Sequence, residues 1–244
     1  MTENSPGTCI IVGVGPGLGA ALARRFAKGG HGVAVAARNC EKLADLVTEI
    51  EGAGGTAKAY ACNTTSETDV MALFNAAEAD LGVMDVSIYN ASGRVRKPVA
   101  DITLDEFTDS WESSCLGGFL VGREAARLLG PRCSQGGAGS IFFTGATASM
   151  KGFAHSATFA VGKFGLRGLA ESMARELQPH GVHVAHFNVD GGIGIDEGGE
   201  ALLRPNAIAE TYYQTHLQHR SAWSHSVDCL LYTSDAADDT PCVD

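Results

Sequence analysis

Positive charge is scarce in this chain: 18 Lys and Arg stand against 28 Asp and Glu, a formal net charge of −10. No basic stripe breaks the acidic background, so nucleic acid is not an expected partner, because that binding depends on clustered Lys and Arg neutralising phosphates. Long apolar runs are missing as well. None approaches the roughly 18 residues needed to cross a bilayer, so no membrane partner is expected. The seven cysteines, at 9, 40, 62, 115, 133, 229 and 242, form no C-x-x-C pair, and the opening MTENSPGT carries neither the basic end nor the apolar stretch of a signal peptide. These absences point to a reduced, cytoplasmic protein with no metal centre. Internal repeats are lacking too, since the 31 glycines gather at turns between apolar segments instead of marking a period.

What is present is a regular alternation. Apolar, β-rich stretches (TCIIVGV, GVAVAA, TAKAYAC, MDVSIYN, SIFFTG, GVHVAHFNV) are separated by helical patterns over 17–29, 41–51, 67–81, 104–129 and about 154–178. Strands that alternate with helices and read as nearly continuous apolar runs predict a parallel sheet covered on both faces, a doubly wound α/β three-layer sandwich. Ligands of such sheets sit at the carboxyl ends of the strands. With 45% hydrophobic residues over 244 positions, the chain fits a single domain. Leu104, Phe107, Trp111, Cys115, Phe119 and Leu128 recur near helical spacing, as do Phe164, Leu169, Met173 and Leu177, and are assigned to core or subunit packing. After residue 190 the chain turns glycine-rich and charged, with a short helix over about 206–218 beside Pro205, and residues 191–220 read as a lid over a site. The stretch CLLYTSDAADD (229–239) matches the translation of a common sequencing adaptor. Residues 1–228 are therefore read as the natural domain and 229–244 as a non-native tail, with a final edge strand lost or improvised from CLLY.

IIVGVGPGLGAALARRFA sets Gly13, Gly15, Gly17 and Gly19 between the first strand and the first helix. Glycine is needed where the backbone must turn tightly and approach a pyrophosphate with no Cβ in the way, and the helix N-terminus adds unpaired N–H groups and a partial positive charge. The G-x-G-x-x-G spacing fails at Leu18, whereas G-x-x-x-G-x-G fits Gly13, Gly17 and Gly19. A dinucleotide is the expected ligand, with Gly15 and Leu18 counted among its contacts. The second strand ends AVAARN, and where an NAD site usually carries an acid for the ribose 2′-hydroxyl this chain has Ala37 and Arg38. A guanidinium fork suits a 2′-phosphate, so NADP(H) is favoured, with NAD(H) as the alternative. Asn63, after the third strand, suits an adenine contact, and Asn90 ends the fourth strand where a nucleotide would lie.

Taken in order, GVGPGLG, YNASG, GSIFFTGATAS and Lys163 resemble the short-chain dehydrogenase/reductase family over residues 8 to about 225. The resemblance implies a Rossmann-type fold and an NAD(P)-dependent oxidoreductase with a small-molecule substrate. It also implies a homodimer or homotetramer built through the segments 104–129 and 154–178, and a role for Lys163 in holding the nicotinamide ribose hydroxyls. Against the family pattern, the serine position falls on Ala146, the tyrosine on Phe159 and the fourth-helix asparagine on Ser114. The Pro-Gly element reads Asp190-Gly191, and a nearby cofactor-touching threonine is missing from GGIGI. In the family the phenol protonates the developing alkoxide and the serine bonds the same oxygen; a phenyl ring and a methyl group do neither. A positioned general acid is worth roughly 10² to 10⁴ in rate and an oxyanion donor roughly 10² to 10³, so ordinary ketone reduction should be very slow here.

His155 shares the face of Phe159 and Lys163 if the helix begins early, and imidazole is a competent acid near neutral pH. His155 and Lys163 are therefore the candidate catalytic residues, while Thr144, Thr147, Tyr212 and Tyr213 are read as structural. Some family members that reduce conjugated enoyl thioesters also lack the serine and tyrosine while keeping the lysine. The expected function is NADP(H)-dependent hydride transfer of atypical mechanism, with a carbonyl or activated enoyl small molecule. The alternative is a catalytically silent dinucleotide-binding sensor or partner subunit.

Overall fold

A computed structural model describes residues 6–194 and 202–231. Seven strands, β1 (Thr8–Val12), β2 (Gly32–Ala37), β3 (Thr56–Ala61), β4 (Met84–Tyr89), β5 (Gly139–Thr144), β6 (Val182–Asp190) and β7 (Ser226–Leu230), form one sheet. Their order is β3-β2-β1-β4-β5-β6-β7, and every neighbouring pair is parallel. The chain winds outward from β1 to β3, then resumes on the other side of β1 with β4. A crevice opens at that reversal, beyond the carboxyl ends of β1 and β4.

The layers follow from the two-residue period of a strand. Cys9 and Ile11 of β1 pack under α1 (Leu18–Lys28), α2 (Ala44–Gly52) and α7 (Pro205–His216), whereas Ile10 and Val12 pack under α3 (Glu67–Leu81), α5 (Gly117–Ser134) and α6 (Ala157–Leu177). The doubly wound sandwich expected from the alternation is the one observed. The remaining helix, α4 (Leu104–Trp111), opens with a capping box: Thr103 Oγ1 accepts from Glu106 N–H while the Glu106 carboxylate accepts from Thr103 N–H.

Three sequence readings are corrected. The segment 104–129 is not one helix, because a π turn at Glu112–Leu116 separates α4 from α5. The widened turn releases the Ser113 carbonyl to accept from the Tyr89 hydroxyl, and Ser114 Oγ turns onto the backbone of Gly93. Secondly, α6 begins at Ala157 instead of 154, because His155 sits at φ +59°, a left-handed conformation that no helix continues through. Thirdly, the helical part of the stretch read as a lid is a core element. Tyr212 of α7 is wholly buried, its hydroxyl 2.8 Å from Thr144 Oγ1, and Arg25 of α1 lies 3.5 Å from the centre of the Tyr213 ring. Residues 195–201 lie outside the described residues. Of the two outcomes expected for the edge strand, the second is observed: β7 pairs with β6 through Val189–Cys229 and Asp190–Leu230, so its last two residues come from CLLY. Residues 232–244 of that tail are outside the described residues.

At the opposite, amino-terminal end of the strands, Asp85 accepts from Gly7 N–H at 2.8 Å and lies 3.2 Å from His31 Nδ1, with His216 close by and bonded through Nδ1 to Ser140 Oγ at 2.9 Å. No spacing in the sequence foretold this polar group.

Candidate active site

The loop leaving β1 divides its glycines by what surrounds them. Gly13 has φ +86°, and a Cβ there would lie 2.4 Å from Ala91 N, so only glycine fits. A Cβ on Gly19 would come within 2.8 Å of Val14 Cα, which ties the start of α1 closely to the strand. At Gly15 and Gly17 nothing lies within 4 Å, leaving an open cradle instead. α1 starts without a side-chain cap and without an acid in its first turn, so its positive end and first N–H groups are available to an anion. Asn90 braces the loop, its Nδ2 donating to Gly13 O at 3.0 Å and its backbone N–H to Val12 O at 2.8 Å.

A cavity of about 590 Å³ runs from this cradle across Arg38, Asn63 and Asn90. Arg38 is exposed at the end of β2 and takes part in no ion pair among the described residues. Asn63 is partly committed: its side-chain oxygen accepts from Thr65 N–H at 3.3 Å and Thr65 Oγ1 at 3.0 Å, an Asx turn that leaves the amide nitrogen for other partners.

A second cavity of about 780 Å³ adjoins the first at Asn90 and Ser92, and Leu18, Ala146, His155, Phe159 and Lys163 line it. Lys163 is buried, its Nζ donates to Thr144 O at 2.7 Å, and burial pushes its pKa down to about 8. The Phe159 ring lies between two cations, with Lys163 Nζ 5.8 Å and the Arg94 guanidinium 4.9 Å from its centre. Ala146 is held by its N–H donating to Ser149 Oγ at 3.1 Å. The hydroxyls near Ala146 are engaged elsewhere: Thr144 with Tyr212, Thr147 with Asp190, and Ser114 with Gly93. His155 stands exposed on the rim, off the helix and so off the shared face proposed for it.

Gly13, Gly15, Leu18, Arg38, Asn63, Asn90, His155 and Lys163 thus line one crevice, while Gly17 caps α1 beside it and Gly19 is buried within that helix. Sequence reasoning missed His186, which is 1% exposed with both ring nitrogens unpartnered, and whose Nε2 a Cβ on Gly145 would meet at 2.2 Å. Burial first, then the nearby Lys163 charge, lowers its pKa to about 4, so the imidazole behind Gly145 is neutral. The signal was there to find, as His183 and His186 interrupt the apolar run from Val182 to Phe187.

The sequence model for the short chain dehydrogenase family matches residues 7–191. This chain belongs to the short-chain dehydrogenase family. Among curated relatives it is 30% identical over 177 residues to sorbitol-6-phosphate 2-dehydrogenase of Escherichia coli, covering 72% of this chain and 67% of that one. It is 35% identical over 178 residues to momilactone A synthase of Oryza sativa, covering 72% and 62%. Of solved structures, a short-chain dehydrogenase from Rhodopseudomonas palustris superposes with a TM-score of 0.83 at 41% identity, covering 93% of this chain and 99% of that one. A metagenomic short-chain oxidoreductase in complex with NADP superposes with a TM-score of 0.80 at 26% identity, over 93% and 99%. The parallel sheet and its helical layers are therefore those of a short-chain dehydrogenase, and Ala146 and Phe159 line its second cavity.

Proposed function

We propose that this short-chain dehydrogenase is an NADP(H)-dependent oxidoreductase that transfers hydride to or from a carbonyl or activated enoyl compound without the family's proton donor. The observation that carries the reading is Lys163, buried against the cavity and holding one bond to Thr144 O. An ammonium has three donors, so two remain for ribose hydroxyls. The cradle at Gly15 and Gly17 would take the diphosphate, Arg38 the 2′-phosphate and the Asn63 amide the adenine. The NADP bound by the metagenomic relative supports the choice of dinucleotide. When bound, the nicotinamide would supply or accept the hydride.

The protein's share of the chemistry is what is unusual. Phe159 and Ala146 orient and exclude water, and neither gives a proton or bonds an oxyanion. A conjugated substrate spreads developing charge over its own atoms and asks less of the enzyme. Lys163 and the rim His155 are the acids that solvent could connect to it. A silent dinucleotide-binding protein is the second reading, favoured by the same loss of both hydroxyls.

The test is the double change Phe159→Tyr with Ala146→Ser. NADPH-dependent reduction of simple ketones should rise at least ~10²-fold over the parent protein. Parent protein that consumes NADPH with an enone, and loses that turnover on Lys163→Ala, is an enzyme; binding with no consumption across a substrate panel favours the silent reading. If millimolar NADPH and NADH leave the melting temperature and intrinsic emission unmoved, both readings fail. We further propose a homodimer or homotetramer, since Phe107, Trp111, Phe119, Val161 and Phe164 leave an apolar surface on α4, α5 and α6. Sedimentation equilibrium checks the mass. No helix among the described residues is long and apolar enough to cross a membrane.

A further inference from the structure

We infer that the substrate half of the crevice binds an oxyanion, a carboxylate or phosphate carried by the substrate, through Arg94 and Arg96. This rests on the reading of the second cavity as the substrate site, and it names the class of substrate.

The segment after β4 is extended and pinned at alternate residues. Gly93 N–H donates to Ser114 Oγ at 2.9 Å and Val95 N–H donates to Thr158 Oγ1 at 3.1 Å. A Cβ on Gly93 would lie 2.7 Å from Ser110 Cα, so the segment is pressed against α4 with no slack. Because an extended chain alternates its sides, this anchoring sends Ser92, Arg94 and Arg96 together toward the cavity that all three line. Ser114, which stands where the family has asparagine, therefore positions the arginine-bearing segment.

Charge distribution gives the segment its direction. The chain carries a formal −10, yet the described residues lining this cavity include Arg94, Arg96 and Lys163 and no Asp or Glu. The next base along, Lys97, is neutralised by Glu106, while Arg94 and Arg96 have no carboxylate partner among the described residues. Arg94 is seated over the Phe159 ring, its guanidinium 4.9 Å from the ring centre. Partial burial and repulsion from Arg96 both lower its pKa, the condition of a guanidinium short of counter-charge. Two neighbouring guanidinium groups, unpaired and facing a cavity without acids among the described residues, are suited to bidentate recognition of an oxyanion.

The experiment is a ligand-observed NMR titration of the full chain with benzoate, phenyl phosphate and the neutral benzamide, run with and without NADPH. Charge-assisted bonds of this kind should make at least one of the two acids bind about tenfold to a hundredfold more tightly than benzamide. The tighter acid names the headgroup. The preference should vanish in the double variant Arg94→Gln with Arg96→Gln, whose exposed side chains leave the fold intact as judged by its melting temperature. Equal binding of all three probes overturns the inference, and so does a double variant that keeps the preference. NADPH affinity is measured in parallel: acid preference in a protein that binds no NADPH would sink the dinucleotide reading while leaving the anion site standing.

Discussion

The two halves of the crevice are built on different principles. In the nucleotide half the working parts are backbone: Gly13 in a left-handed conformation against Ala91, an open cradle at Gly15 and Gly17, and an uncapped helix end. In the half proposed for the substrate they would be side-chain tips, and Ala146 and Phe159 there carry no hydroxyl. Backbone machinery is tied to the packing of β1, β4 and α1, so it cannot be lost without disturbing the fold. A side-chain hydroxyl carries no such burden: without one, Ala146 donates its N–H to Ser149 Oγ and Phe159 lies beside Lys163. On the proposed reading, grip on the cofactor and the reaction it serves would be separable within one cavity system.

The largest effect that would break this contrast is at Gly13. Gly13→Ala combines a positive φ with overlap on the Ala91 backbone, at a cost on the order of 1–3 kcal/mol for the conformation and more for the overlap. Lowered denaturation midpoints and no measurable NADPH binding are expected. Binding at parental affinity would show that the glycine turn is not the grip. Next in size, Arg38→Ala should weaken NADPH by about tenfold to a hundredfold and leave NADH nearly unchanged, read by fluorescence titration of both nucleotides. Loss of both equally would mean that Arg38 does not meet a 2′-phosphate.

The smallest of these effects concerns pH. Burial lowers the Lys163 pKa to about 8 from a usual value near ~10.4, so below about 8 the folded chain carries a buried ammonium at a cost. Between about 8 and ~10.4 the native state binds fewer protons than the unfolded chain, and the stability contributed by this residue rises with pH. Relative to Lys163→Met, the parent protein should gain on the order of 1 kcal/mol per pH unit across that window, measured by urea unfolding at several pH values. A flat difference would mean that the amine is solvated, and would remove the feature that joins the two halves.

The sheet was legible because central parallel strands are buried on both faces and read as unbroken apolar runs, as in TCIIVGV and SIFFTG. The glycine turn was legible because its residues are adjacent in the chain. What escaped was set by contacts between distant segments. His155 looked helical by spacing, yet its left-handed backbone ends the pattern before α6 starts. α7 has the polarity of a surface helix, but Ile208, Ala209 and Tyr212 fill the space over β5 and β6. Arg94 and Arg96 carry no periodic signal, and only the anchoring of Gly93 by Ser114 and of Val95 by Thr158 aims them at the cavity.

The outermost strand has a practical meaning for anyone handling the protein. β7 shields the flank of β6, with Asn188 Nδ2 donating to Asp228 Oδ1 at 2.8 Å along the seam. Clipping the polypeptide ahead of Ser226 would bare a row of unsatisfied amides and carbonyls on a long, hydrophobic ribbon, an adhesive border on which further molecules could zip. Such shortened material should scatter light on standing at concentrations where the intact protein stays clear; equal clarity would show that the flank tolerates being stripped.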